Sequence, residues 1–92
     1  MSQTWDKTDT DIDTFLGKPY KTILFNDNDH SMEEVIFQII KAIHCDPGTA
    51  SKIMMEAHAS GSAVVITAGL ERCELVASIL EEIHLATKVE EA

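Results

Sequence analysis

The stretch "YKTILFNDNDHSMEEVIFQIIKAI", residues 20–43, changes its apolar period half-way along, and that change decides the fold. Up to Phe25, the residues Tyr20, Thr22, Ile23, Leu24 and Phe25 are aromatic, β-branched or apolar, as a short strand prefers. Beyond Ser31 the apolar residues Met32, Val35, Ile36, Ile39, Ile40 and Ile43 follow the three-four spacing of one helical face. Ser31 and Glu34 supply the S-x-x-E capping box that opens such a helix. Between the two lie Asn26, Asp27, Asn28, Asp29 and His30. A turn needs only one or two residues of this kind, whose side chains bond their own backbone. Five such residues in a row suggest more than a turn.

Downstream, Asp46 followed by Pro47 reads as an N-cap and a first-turn proline, and Gly61 as a left-handed terminator. A second helix is therefore expected over about residues 47–59, with Ala50, Ile53, Met54 and Ala57 inward and His58 one turn after Met54. "AVVIT", residues 63–67, reads as a second strand. A third helix is expected over Leu70–His84, with Cys73, Val76, Ala77, Leu80 and Ile83 at helical spacing, and "LATKV" as a last strand. The order β-α-α-β-α-β predicts an α+β sandwich, in which a small, mainly antiparallel three-stranded sheet packs against three helices. Residues 1–18, rich in Thr and Asp, are expected to form a flexible acidic extension, and residues 19–92 a single domain.

The chain of 92 residues is 45% hydrophobic, enough for one modest core. Its net charge of −9 repels phosphate backbones and anionic lipid, so nucleic acid and membrane are poor partners and a cationic or neutral peptide is a better one. Cys45 and Cys73 cannot build a disulfide framework, and no run approaches the ~20 apolar residues of a membrane span, so a cytoplasmic protein is expected. No cofactor is expected. The spacing of Asp27, Asp29 and Ser31 imitates the start of a calcium loop, but Met32 stands where that loop needs glycine. A metal-dependent enzyme using His30, His58 and Asp27 is a weaker alternative, since no H-x-x-x-H or cysteine pair supports a zinc site. No serine or cysteine sits in a glycine elbow or paired-histidine pattern, so the protein is not expected to be an enzyme. Met32 and Met54 open and line two successive helices beside the polar connection, and methionine suits a wall that receives varied side chains.

"YKTILFND", Met32, "ASKIMMEAH" and "GSAVV" together resemble ClpS, the family of adaptors that hand substrates to the ATP-dependent Clp protease. The resemblance spans Tyr20 to about Ile83. It implies binding of a bulky hydrophobic first residue, the bacterial N-degron, and delivery to a Clp AAA+ unfoldase (ClpA or ClpC) through that unfoldase's N-terminal domain. By that resemblance Asn26, Asp27 and His58 hold the cargo's amino group, while Met32, Val35, Met54 and Ala57 line a hydrophobic pocket. Glu71 matches an acidic docking position, and the N-terminal extension serves delivery. Asn28, His30, Ala57, Ser62 and Val76 depart from the residues usual in the family, Val76 replacing a docking lysine. An interaction module of the same fold without N-degron binding is the alternative within this class.

Overall fold

The computed structural model describes residues 18–92; the expected extension lies outside them apart from Lys18. The elements follow the expected order: β1 (Tyr20–Phe25), α1 (Met32–Ile43), α2 (Pro47–Ser60), β2 (Ser62–Ala68), α3 (Leu70–Glu81) and β3 (Thr87–Glu91). β1 is the central strand and pairs antiparallel with both β2 and β3. Its pairing with β2 shifts between Thr22 and Ile23, a bulge that leaves Val65 as the extra residue.

The capping box at the head of α1 is complete: Glu34 N–H donates to Ser31 Oγ and Ser31 N–H to Glu34 Oε1. Asp46 caps α2 in the same sense, accepting from the Thr49 N–H at 2.8 Å, with Pro47 in the first turn. These local bonds fix where each helix begins, and each is worth about 1 kcal/mol.

The helices cover one face of the sheet. Leu24 of β1, Val35, Ile39 and Ala42 of α1, Ala50, Met54 and Ala57 of α2, Ala63 and Val65 of β2, and Val76 and Leu80 of α3 form one core with Leu85. Two buried polar side chains are satisfied within it. Thr22 Oγ1 donates to the Cys73 carbonyl, tying β1 to α3, and Gln38 Nε2 donates to the Ile79 carbonyl, tying α1 to α3. Lys41 completes the second tie through Glu82 at 2.9 Å.

Three expectations need correction. α3 stops at Glu81, before the expected His84, because the chain turns through Glu82–His84 and His84 takes a left-handed φ of 67°. The last strand starts two residues later than expected, leaving Leu85 as a buried anchor ahead of it. Val76 has no exposed surface and belongs to the core, as its helical period required; it cannot stand where a docking lysine reaches a partner.

Candidate functional site

The polar connection after β1 is fastened at both sides by backbone. Phe25 N–H donates to the Ala86 carbonyl at 3.0 Å, and Asn26 N–H to the Gly61 carbonyl at 2.9 Å. Gly61 is the left-handed cap of α2, its own N–H bonded to the Ala57 carbonyl. Asn26 is thereby set beside the last turn of α2, which carries His58, and Phe25 beside Leu85.

The connection then folds on itself around Asp27. One carboxylate oxygen, Oδ1, accepts from the N–H groups of Asp29 and His30 at 2.6 and 2.9 Å. The other, Oδ2, lies 3.0 Å from His30 Nδ1. Both side chains are largely buried, and Nδ1 is sealed from solvent without an in-line hydrogen bond, so the contact is Coulombic. Burial works to raise the Asp27 carboxyl, but the His30 side chain and the two N–H groups outweigh it and hold it below the ordinary carboxylate range. The His30 imidazole is pushed up by the Asp27 carboxylate against the opposing effect of burial, with the Ile83 backbone and Glu34 adding to the rise.

The sign of each shift sets the pH range over which this pair supports the connection. A lowered carboxyl contributes fully above its unfolded value and loses the contribution as pH falls through the folded one. A raised imidazole contributes fully below its unfolded value and loses it as pH rises through the folded one. The pair therefore supports the connection best between about pH 4 and 6.5. Hydrogen exchange at Asp29 and His30 is expected to quicken on the alkaline side in excess of the intrinsic rate, and His30→Ala to remove that excess.

A cavity of roughly 350 Å³, including its open mouth, lies against this connection. It is lined by Asn26, Asp27, Met32, Val35, Met54, Ala57 and His58, the seven residues singled out in the sequence for cargo binding. Val35, Met54 and Ala57 are buried and form its apolar floor, while Met32, 48% exposed, stands at the mouth. Asn26 and His58 are exposed and open to the same space. Leu24, Phe25, His30 and Leu85 also line it. The strand pattern already marked Leu24 and Phe25 as apolar; Leu85 enters only through the long-range bond at Ala86. Glu71 is not among the lining residues and is exposed in the first turn of α3.

The arrangement is one apolar hollow with neutral and anionic acceptors on its rim. Among the described residues no group of three or more His, Cys, Asp or Glu side chains could hold a metal ion, and His30, His58 and Asp27 do not form one. No helix among them is long and apolar enough to cross a membrane.

The Gly61 position gives a direct check on this construction. A Cβ there meets no atom within 4 Å, but its φ of 94° disfavours any L side chain. Gly61→Ala is expected to cost about 1 to 2 kcal/mol, a fall in Tm of roughly 4 to 16 °C for a domain of this size. A calorimetric scan reads it.

The family model described as "ATP-dependent Clp protease adaptor protein ClpS" matches residues 17–89. The ClpS adapter protein of Gloeobacter violaceus is 40% identical over 72 residues, covering 77% of each chain. That of Synechococcus elongatus is 29% identical over 89 residues, covering 96% of this chain and 94% of the relative. Among solved structures, Agrobacterium tumefaciens ClpS2 bound to L-phenylalaninamide superposes with a TM-score of 0.77 at 27% identity, over 82% of this chain and 98% of that one. With the sheet order, the three covering helices and these matches in agreement, the chain belongs to the ClpS family of adaptor proteins of the ATP-dependent Clp protease.

Proposed function

We propose that this adaptor binds proteins whose first residue is bulky and hydrophobic, and presents them to a Clp AAA+ unfoldase, ClpA or ClpC, without catalysing any reaction itself. The observation that carries the reading is the single cavity shared by Met54, Ala57 and Val35 below and Asn26, Asp27 and His58 at the rim. A free amino terminus is the one point of a protein where an ammonium and a side chain leave the same carbon, and this cavity offers an acceptor set and an apolar hollow side by side. The Agrobacterium relative holding phenylalaninamide, which carries such a pair, supports it.

In this reading Asn26 accepts from the ammonium through its side-chain carbonyl, His58 through a neutral ring nitrogen, and Asp27 contributes negative charge. Burying one large side chain contributes about 1.5 to 3 kcal/mol, and each hydrogen bond to a charged group a similar amount. Association costs subtract from that total, so the affinity is moderate, about micromolar or weaker. Weak grip suits a carrier that must release its load. Glu71, exposed on α3, is assigned to unfoldase docking, and the N-terminal extension to delivery.

The test is a set of labelled peptides differing only in their first residue. A peptide starting with Phe is expected to bind about 10- to 150-fold more tightly than one starting with Ser. Equal anisotropy curves for the two would reject the reading and favour an interaction module of the same fold.

A further inference from the structure

His30 stands on the cavity wall although no role in cargo binding follows from the family resemblance. Its ring faces Asp27 from within the same connection, at 3.0 Å from Oδ2, while the backbone already occupies Oδ1. Every oxygen of the Asp27 carboxylate is thus engaged before any ligand arrives. The other groups near the ring are Glu34 in the first turn of α1 and the Ile83 backbone after α3, and His58 lies on the α2 side of the same cavity. Among the described residues, Asp27 is the acidic group that lines the cavity.

We propose that His30 is a specificity-determining residue of this site: its imidazolium is an internal cation that competes with the cargo's ammonium for the Asp27 carboxylate. The inference rests on the functional reading above and adds to it a named competitor. A charged ring occupies Oδ2 and sets a second positive charge beside the arriving one. A neutral ring leaves Oδ2 to the cargo. Since coupling between two binding events is reciprocal, cargo must in turn make His30 harder to protonate. The raised affinity of this imidazole for a proton is the unliganded side of the same balance.

Two measurements test it with the full-length protein and a peptide starting with Phe. In the first, affinity is compared between about pH 5.5 and 8, across the range in which imidazoles ordinarily change charge. The ratio of the two affinities is expected to be about three- to tenfold smaller in His30→Gln than in the parent, the size of one partly screened like-charge contact. His58→Gln run in parallel separates the contribution of the other histidine. In the second, the His30 ring is followed by NMR in the unmodified protein, and saturating peptide is expected to move its titration midpoint to lower pH. A purely structural His30 would keep the same midpoint with and without peptide. Binding by the parent with an unmoved midpoint overturns the inference and leaves the functional reading standing. No binding of any peptide by the parent at any pH overturns both.

Discussion

Acetylating the amino end of a peptide that starts with Phe is expected to weaken its binding by at least about 150-fold, because two hydrogen bonds to a charged group, together about 3 to 6 kcal/mol, lose their donor charge. The apolar ring still fits the hollow, so what binding survives reports the contribution of Val35, Met54 and Ala57 alone. The same loss is expected from the other side of the contact in the double variant Asn26→Ala/His58→Ala. Both side chains are exposed, so truncating them leaves the core intact, and an unchanged thermal midpoint checks that. The decisive point is that acetylation should have little further effect on the double variant, since partners in one interaction are not additive. If acetylation and the double substitution each weaken binding and their effects multiply, the ammonium is held by other groups.

The largest effect on stability is expected at Ile39. It has no exposed surface and stands in the middle of α1, inside the cluster that joins that helix to α2, β2 and the sheet. Ile39→Ala removes buried methyl and methylene groups and leaves a void, at a cost of about 2 to 5 kcal/mol. A small domain has a total stability of about 5 to 15 kcal/mol, and at about 4 to 8 °C per kcal/mol the midpoint should drop by roughly 8 to 40 °C. Denaturant unfolding followed by circular dichroism checks it: the midpoint concentration should fall with the slope unchanged. A drop of only a few degrees would mean that α1 contributes far less to the core than its burial indicates.

Much of the fold was legible because its signals are local. Ser31 and Glu34 are three residues apart, and their mutual bonds exist wherever the helix does. The same holds for Asp46 and Thr49. The end of α3 was not legible, because helical periodicity continues to Ile83 and His84 while the left-handed turn at His84 is settled by where Leu85 must be buried. Val76 shows two lines of sequence reasoning in conflict. Its period put it inside and its expected counterpart in relatives put it outside, and the core decided for the period.

The cavity divides in the same way. Asn26, Asp27 and Met32 lie close together in the chain, and His58 follows Met54 by one helical turn, so each half of the wall could be read by itself. That the halves meet depends on the bond from Asn26 to the Gly61 carbonyl, which joins residues far apart in sequence. Leu85 escaped for the same reason, whereas His30 escaped although its partner Asp27 is local. Nothing in "NDNDH" states which of its polar side chains turns back to Asp27 and which faces outward.

The middle place of β1 has a mechanical consequence. Traction on the chain ahead of Tyr20 loads a strand zipped along both edges, to Ser62–Ala68 on one side and Thr87–Glu91 on the other. Both ladders must tear before tension reaches Asn26. Tension applied from that end therefore meets β1 first, and the polar connection behind it outlasts any tug too feeble to extract the whole strand.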